Sequence, residues 1–112
     1  MNIGKRAKVF VFNQPVDMRK SYDGLYGLAK QAGNPLSGDV FLFVSKDRTR
    51  TKALFWDGNG LNLWMKRLER GQFADIFSRT EMTPSELQLF FEGSPSVSRQ
   101  LSRDELNQRF SA

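Results

Sequence analysis

Apolar positions along this chain change period from one stretch to the next, and each period predicts a different element. Lys8 to Phe12 reads KVFVF, β-branched and aromatic, and stops at Asn13-Gln14-Pro15, which predicts a short strand. Asp17 then offers a cap to a helix running through Lys30, with Met18, Tyr22, Leu25 and Ala29 spaced by four, three and four residues. Gly24 and Gly27 each cost such a helix about 1 kcal/mol relative to Ala. Close packing of that helix face against a sheet would account for them. Gly33-Asn34-Pro35 ends the helix.

Val40 to Ser45 (VFLFVS) is apolar throughout, the pattern of a central strand covered on both faces. Lys46 to Arg50 is a polar connection. Thr51 to Trp56 then alternates, with Lys52, Leu54 and Trp56 on one side and Ala53 and Phe55 on the other. Asp57-Gly58-Asn59-Gly60 supplies residues that tolerate the backbone of a tight hairpin turn. Beyond it Leu61, Leu63 and Met65 alternate with Asn62, Trp64 and Lys66 as a further strand. Leu61, Met65 and Leu68 also fit a helical period, but the turn before them favours the strand.

Thr83 followed by Pro84 and Glu86 is a capping-box start to a second helix. Leu87, Phe90 and Phe91 are expected to line one side of it, Glu86 and Gln88 the exposed side, and Gly93 closes it. Phe91 is the residue expected on a partly exposed flank. From Ser94 the composition turns to Ser, Arg and Gln, with RDELNQRF able to form a short helix. The expected organisation is a single domain over 1–93 and a polar, weakly ordered tail over 94–112. The order β-α-β-β-β-α predicts an α+β fold, a small, mostly antiparallel sheet of three to four strands packed with two helices.

Composition narrows the chemistry. The chain of 112 residues has no cysteine and no histidine, so disulfides, thiolate chemistry and the usual ligands for zinc are excluded. The commonest general base at neutral pH is missing too. No cofactor and no metal site are expected, and the absence of cysteine fits a reducing cytoplasm. No stretch of 18 apolar residues offers a membrane span, and the basic start MNIGKRAKVFVF lacks the small-residue cleavage site of a signal peptide. Seventeen Lys and Arg against twelve Asp and Glu give a net charge of +5. Between Lys46 and Arg70 seven cations face three carboxylates, so +4 of that charge falls within 25 residues. A clustered excess of this kind favours an anionic partner, nucleic acid first.

Three ordered stretches go beyond composition: VDMRKSYDGL from Val16, LSGDVFLFVSKDRTRTKALFWDGNGLNLWMKRLERGQF from Leu36, and TPSELQLFFEG from Thr83. In this order and spacing the chain resembles the TnpB accessory-protein family of insertion sequence 66 elements, which is unrelated to the RNA-guided nucleases sharing the name. The DMRK…DGL box, the SG before the strand, the WDG turn and the KRLERG box carry the resemblance, which covers roughly Val9 to Gly93. After KRLERG the family often continues with Arg-Phe and a Trp-Pro pair, whereas here Gln72-Phe73-Ala74-Asp75 follows. No family counterpart is expected for the terminal SPSVSRQLSRDELNQRF. The resemblance implies a protein encoded beside a separate, larger transposase and needed with it for efficient movement of the element. It implies no set of functional residues.

Those must come from the residues themselves. A strand-transfer enzyme needs two or three carboxylates converging on divalent cations, which would require Asp17, Asp23, Asp39 and Asp57 to meet. Asp57 is otherwise explained as a turn residue, and no catalytic residue is assigned. Trp56 and Trp64, on either side of the turn, are expected to pair across the hairpin on one face with Lys52 and Lys66. Exposed beside cations, they would instead stack unpaired bases. Lys46, Arg48, Arg50 and Lys52 form a basic arm able to reach phosphates. Lys66, Arg67 and Arg70 extend it, with Glu69 marking a mixed surface. Arg19 and Lys20 sit where a helix start disfavours cations, which suggests a phosphate or a carboxylate such as Asp23 as their partner. The reading is a non-enzymatic accessory factor of transposition that binds element DNA and assists the transposase. The alternative is an adaptor that binds the transposase or a sister accessory protein without touching DNA.

Overall fold

The computed structural model describes residues 3–4 and 6–99. Five strands form one sheet in the order β4-β3-β2-β1-β5: β1 is Val9–Val11, β2 Val40–Val44, β3 Arg50–Trp56, β4 Leu61–Arg67 and β5 Glu81–Met82. Helix α1, Tyr22–Ala29, connects β1 to β2, which pair in parallel, and the other pairings are antiparallel. Helix α2, Pro84–Phe91, and a 3-10 turn, Pro95–Ser98, follow. The α+β architecture is therefore as the periodicity predicts, with β5 as an additional edge strand of two residues too short to show a period.

Alternating side chains divide the core between the two faces of the sheet. On one face Phe41, Phe43 and Leu54 pack against Leu25 and Ala29 of α1, with Val16 and Met18 closing the layer. On the other, Val9, Val11, Leu42, Val44 and Ala53 meet Leu87, Leu89 and Phe90 of α2 together with Phe73, Ile76 and Val97. β2 is buried at every position, as its unbroken apolar run requires.

Helix α1 is shorter than the predicted span. Asp17 does not cap it. The Asp17 carboxylate accepts from the Arg19 backbone N–H at 2.9 Å and its carbonyl accepts from Lys20 N at 3.1 Å, which makes a turn that tucks Val16 and Met18 into the core. Ser21 takes the N-cap position without a side-chain capping bond. Tyr22 consequently lies outside the buried stripe. Packing against the sheet also fails to account for the α1 glycines. Both are exposed, no atom lies within 4 Å of a Cβ built on Gly27, and one on Gly24 would meet the flexible Lys20 side chain. The structure gives Gly27 no packing role.

The start of α2 behaves as the capping box predicts. Thr83 Oγ1 accepts from Glu86 N and Glu86 Oε1 from Thr83 N, both at 3.1 Å. Glu86 is not exposed, however; it is 1% accessible. Its other oxygen meets Arg79 Nη1 at 2.6 Å, and the same nitrogen donates to the carbonyls of Val97 and Arg99. Val97 of the polar stretch beyond Gly93 is thereby held in the core. The stretch beyond Arg99, including the short helix expected in RDELNQRF, lies outside the described residues.

Candidate nucleic-acid interface

The connection between β2 and β3 is shaped by one carboxylate. Asp47 Oδ1 accepts from Ser45 Oγ at 2.7 Å, Thr49 Oγ1 at 2.8 Å and Thr49 N at 3.1 Å. These bonds stabilise the ionised form and hold the carboxyl at about 2, below its ordinary 3.8. Arg48 N donates to Ser45 O, and Arg48 itself takes φ +57°, the left-handed region. Among the described residues no other non-glycine residue has a positive φ. An arginine there costs about 1–2 kcal/mol against the right-handed form.

This loop is tied to the chain beyond β4. Thr49 O accepts from Leu68 N at 2.8 Å, Arg48 O from Phe73 N at 2.6 Å, and Asp47 O from Gln72 Nε2 at 3.0 Å. Arg48 Nη2 donates to Gln72 Oε1 at 3.2 Å. Phe73 anchors the crossing, buried and stacked on Phe90 with centroids 4.8 Å apart. Two stretches some twenty residues apart thus share one end of the sheet, bringing Lys46, Arg48, Arg50, Arg67 and Arg70 together. Arg50 and Arg67 are direct cross-strand partners. Lys46, Arg50 and Arg70 are exposed and hold no ion pair among the described residues. Arg67 makes a 3.3 Å pair with Glu69 in which both side chains are well exposed.

Other predicted contact residues are engaged inside the protein. Lys52 is buried on the α1 face and its ammonium donates to Lys20 O at 2.6 Å. Lys66 reaches over the opposite face to Phe91 O, also at 2.6 Å, where a cation complements the C-terminal end of α2. Arg19 is held by Asp17 at 2.7 Å, so the carboxylate beside it is Asp17 and not Asp23. That pair raises the Arg19 guanidinium and takes Asp17 well below the usual carboxylate range. Asp17 lines a shallow pocket with Lys46, Asp47 and Arg50, placing Arg19 and the exposed Lys20 beside the same end of the sheet.

The tryptophans do not face each other. The four-residue loop closes with Asp57 N donating to Gly60 O, so Trp56 opposes Leu61 while Trp64 opposes Ala53. Odd and even positions of β4 therefore belong to opposite faces, and Trp56 and Lys52 lie on the α1 face whereas Trp64 and Lys66 lie on the α2 face. Trp64 packs on Phe91, centroids 4.0 Å apart. Both tryptophans border an open groove of about 1100 Å³ at the turn end, with Tyr22, Asp39 and Asp57.

Asp57 serves the turn. Its Oδ1 accepts from the backbone N–H groups of Asn59 and Gly60, and its Oδ2 accepts from Asn62 Nδ2 at 2.8 Å. These bonds, the Asn62 one foremost, lower its pKa. Asp39 is occupied by Lys8 N and Ser37 Oγ. Among the described residues no three of His, Cys, Asp and Glu come together to hold a metal ion. No helix there is long and apolar enough to cross a membrane.

Comparison with known proteins places this sequence in a family. The profile described as IS66 Orf2-like protein matches residues 7–101, so the likeness runs past Gly93 into the first part of the terminal stretch for which no counterpart is expected from the motifs. The uncharacterized protein y4jC of Sinorhizobium fredii is 37% identical over 93 residues, covering 77% of this chain and 78% of that protein. The uncharacterized protein y4hO of the same organism is 32% identical over 73 residues, 63% of this chain and 64% of that protein. No solved structure matches.

Proposed function

The chain belongs to the IS66 Orf2-like family of transposition-associated accessory proteins, and on that footing we propose that it binds element DNA through the basic end of its sheet and so assists the separate transposase. The observation carrying this reading is the tie between the 45–50 loop and the 67–73 segment, which gathers Lys46, Arg48, Arg50, Arg67 and Arg70 on one surface. Arg19 and Lys20 border it. Arg50 and Arg67, at direct cross-strand positions, repel mildly, and a bound anion would relieve that repulsion. Among the described residues no recognition helix lies on this surface, and phosphate contact with weak sequence selectivity is the expected mode. The chain contributes no catalytic step of its own; Trp56 and Trp64, if they touch bases, do so separately, from two faces.

Titration of element-end and scrambled duplexes at several salt concentrations tests the proposal. Affinity is expected to fall steeply with salt, by a log-log slope of about 0.9 for each phosphate neutralised. Charge reversal of Arg48 and Arg50 together should abolish binding and leave the circular dichroism unchanged. Absence of binding at low salt would overturn the DNA reading and transfer the surface to an acidic face of the transposase or of a sister accessory protein.

A further inference from the structure

The two edges of the sheet differ. β5 is two residues long, whereas β4 presents seven and pairs only with β3 among the described residues. Proteins usually blunt a long edge with proline, a bulge or an outward lysine. β4 has no proline and no glycine, and the Lys66 ammonium is drawn over the sheet to Phe91 O. Met65 is left 62% exposed.

We propose that the β4 edge is an interface between two copies of this chain, which pair antiparallel about Trp64 and merge their sheets. A symmetric pairing must match odd positions with odd and even with even to keep each face continuous. Centring on Trp64 is the register that pairs all seven residues. Leu61 then opposes Arg67 of the second copy, Asn62 opposes Lys66, Leu63 opposes Met65, and the two Trp64 side chains meet. No cation opposes a cation, and Met65 gains an apolar neighbour. Beyond the strand ends, Arg67 to Arg70 of one copy run beside the Asp57–Gly60 turn of the other, where Asp57 and Asp39 border the same groove. The two-fold axis repeats this charge match at both ends. Such a dimer carries its two basic ends pointing in opposite directions; with Arg67 to Arg70 beside the other copy's turn, Lys46, Arg48 and Arg50 at each end remain for duplex contact on the DNA-binding reading above.

The test is made without DNA, so it stands or falls apart from that reading. Light-scattering or sedimentation mass is measured from low to high micromolar concentration for the 12.9 kDa chain and for Met65→Lys, whose exposed site in the monomer accepts a lysine. The wild type is expected to approach twice the monomer mass and Met65→Lys to remain monomeric. Hydrogen exchange on the wild type gives a second readout: alternate amides of Leu61–Arg67 should be protected at high concentration and lose protection on dilution. A monomeric wild type overturns the proposal and leaves the edge to a different protein. A Met65→Lys variant that still dimerises, or β4 amides indifferent to dilution, overturns it as well.

Discussion

Arg50 and Arg67 occupy directly opposed positions where β3 and β4 reach the basic end of the sheet. Like charges so placed destabilise a strand pair, by an amount of the order of the 0.2–1 kcal/mol that a favourable pair contributes. Glu69 relieves only Arg67, and at 3.3 Å between exposed side chains it relieves little. Arg50→Gln should therefore leave stability unchanged or raise it by a few tenths of a kcal/mol, read from the urea midpoint. The same variant should weaken DNA binding and reduce the salt slope by about one. Lost stability with unaltered DNA affinity would make Arg50 a structural residue.

Arg48 separates fold from function more sharply. Its left-handed backbone, φ +57°, is one that glycine adopts freely, and among the described residues its side chain makes only an exposed 3.2 Å bond to Gln72. Arg48→Gly should stabilise the protein by about 0.5–1 kcal/mol, part of the strain being offset by the greater freedom of glycine in the unfolded chain. DNA affinity should fall. Paired urea melts and titrations on one preparation check both effects.

These two arginines show where sequence reasoning reaches its limit. β2, β3 and β4 were legible because their apolar periods are long, and the capping box at Thr83 because its bonds are local. The opposite facing of Trp56 and Trp64 follows from that same four-residue turn, which pairs Trp56 with Leu61 and leaves Trp64 three positions further along β4, an odd offset that puts it on the other face; treating the two tryptophans as equidistant from the turn misses this. Glu86 looked exposed because a helical period puts a polar residue outside. Its partner Arg79 lies in an irregular segment with no period to mark it. Charge clustering did point to Lys46, Arg48, Arg50, Arg67 and Arg70, but the backbone bonds from Leu68 and Phe73 that unite them are long-range and leave no local signal. Lys52 and Lys66 belong to the same run of charge, and their long aliphatic stems carry both ammonium groups to backbone carbonyls, a destination no charge pattern marks.

The Arg79–Glu86 pair is the buried ion pair among the described residues, with side chains 9% and 2% exposed. It joins the start of α2 to the Val97 and Arg99 carbonyls. Removing one member strands the other in a desolvated site, which typically costs about 3–5 kcal/mol. Glu86→Ala should fall in that range and also lose the reciprocal cap, whereas Thr83→Ala, which removes the cap alone, should cost about 1 kcal/mol. Urea unfolding of the two variants measures the difference. Equal losses would show that the cap, and not the ion pair, secures α2.

Gly27 offers the converse case. It is exposed in the interior of α1, its φ is not positive, and nothing obstructs a Cβ. Gly27→Ala should raise stability by about 0.5–1 kcal/mol through helix propensity and reduced freedom of the unfolded chain. A higher thermal midpoint with unchanged DNA binding would place α1 outside the working surface.

Acid should open the basic loop before it unfolds the sheet. Asp47 titrates at about 2 in the folded protein against an ordinary 3.8, because Ser45 and Thr49 donate to its ionised carboxylate. A lowered folded pKa means that the unfolded chain binds the proton more readily. The stabilisation is thus complete above about pH 4 and is lost as pH falls towards about 2. Carbon-detected NMR of the Asp47 carboxyl should show that low midpoint, with the Thr49 amide shifting alongside it. Asp47→Asn should flatten the acid dependence over this window. At neutral pH the same variant removes the one negative charge within the Lys46–Arg50 loop, so DNA affinity should rise at low salt and converge with the wild type as salt screens the difference. A carboxyl titrating near 3.8 would remove Asp47 as the residue that shapes the loop.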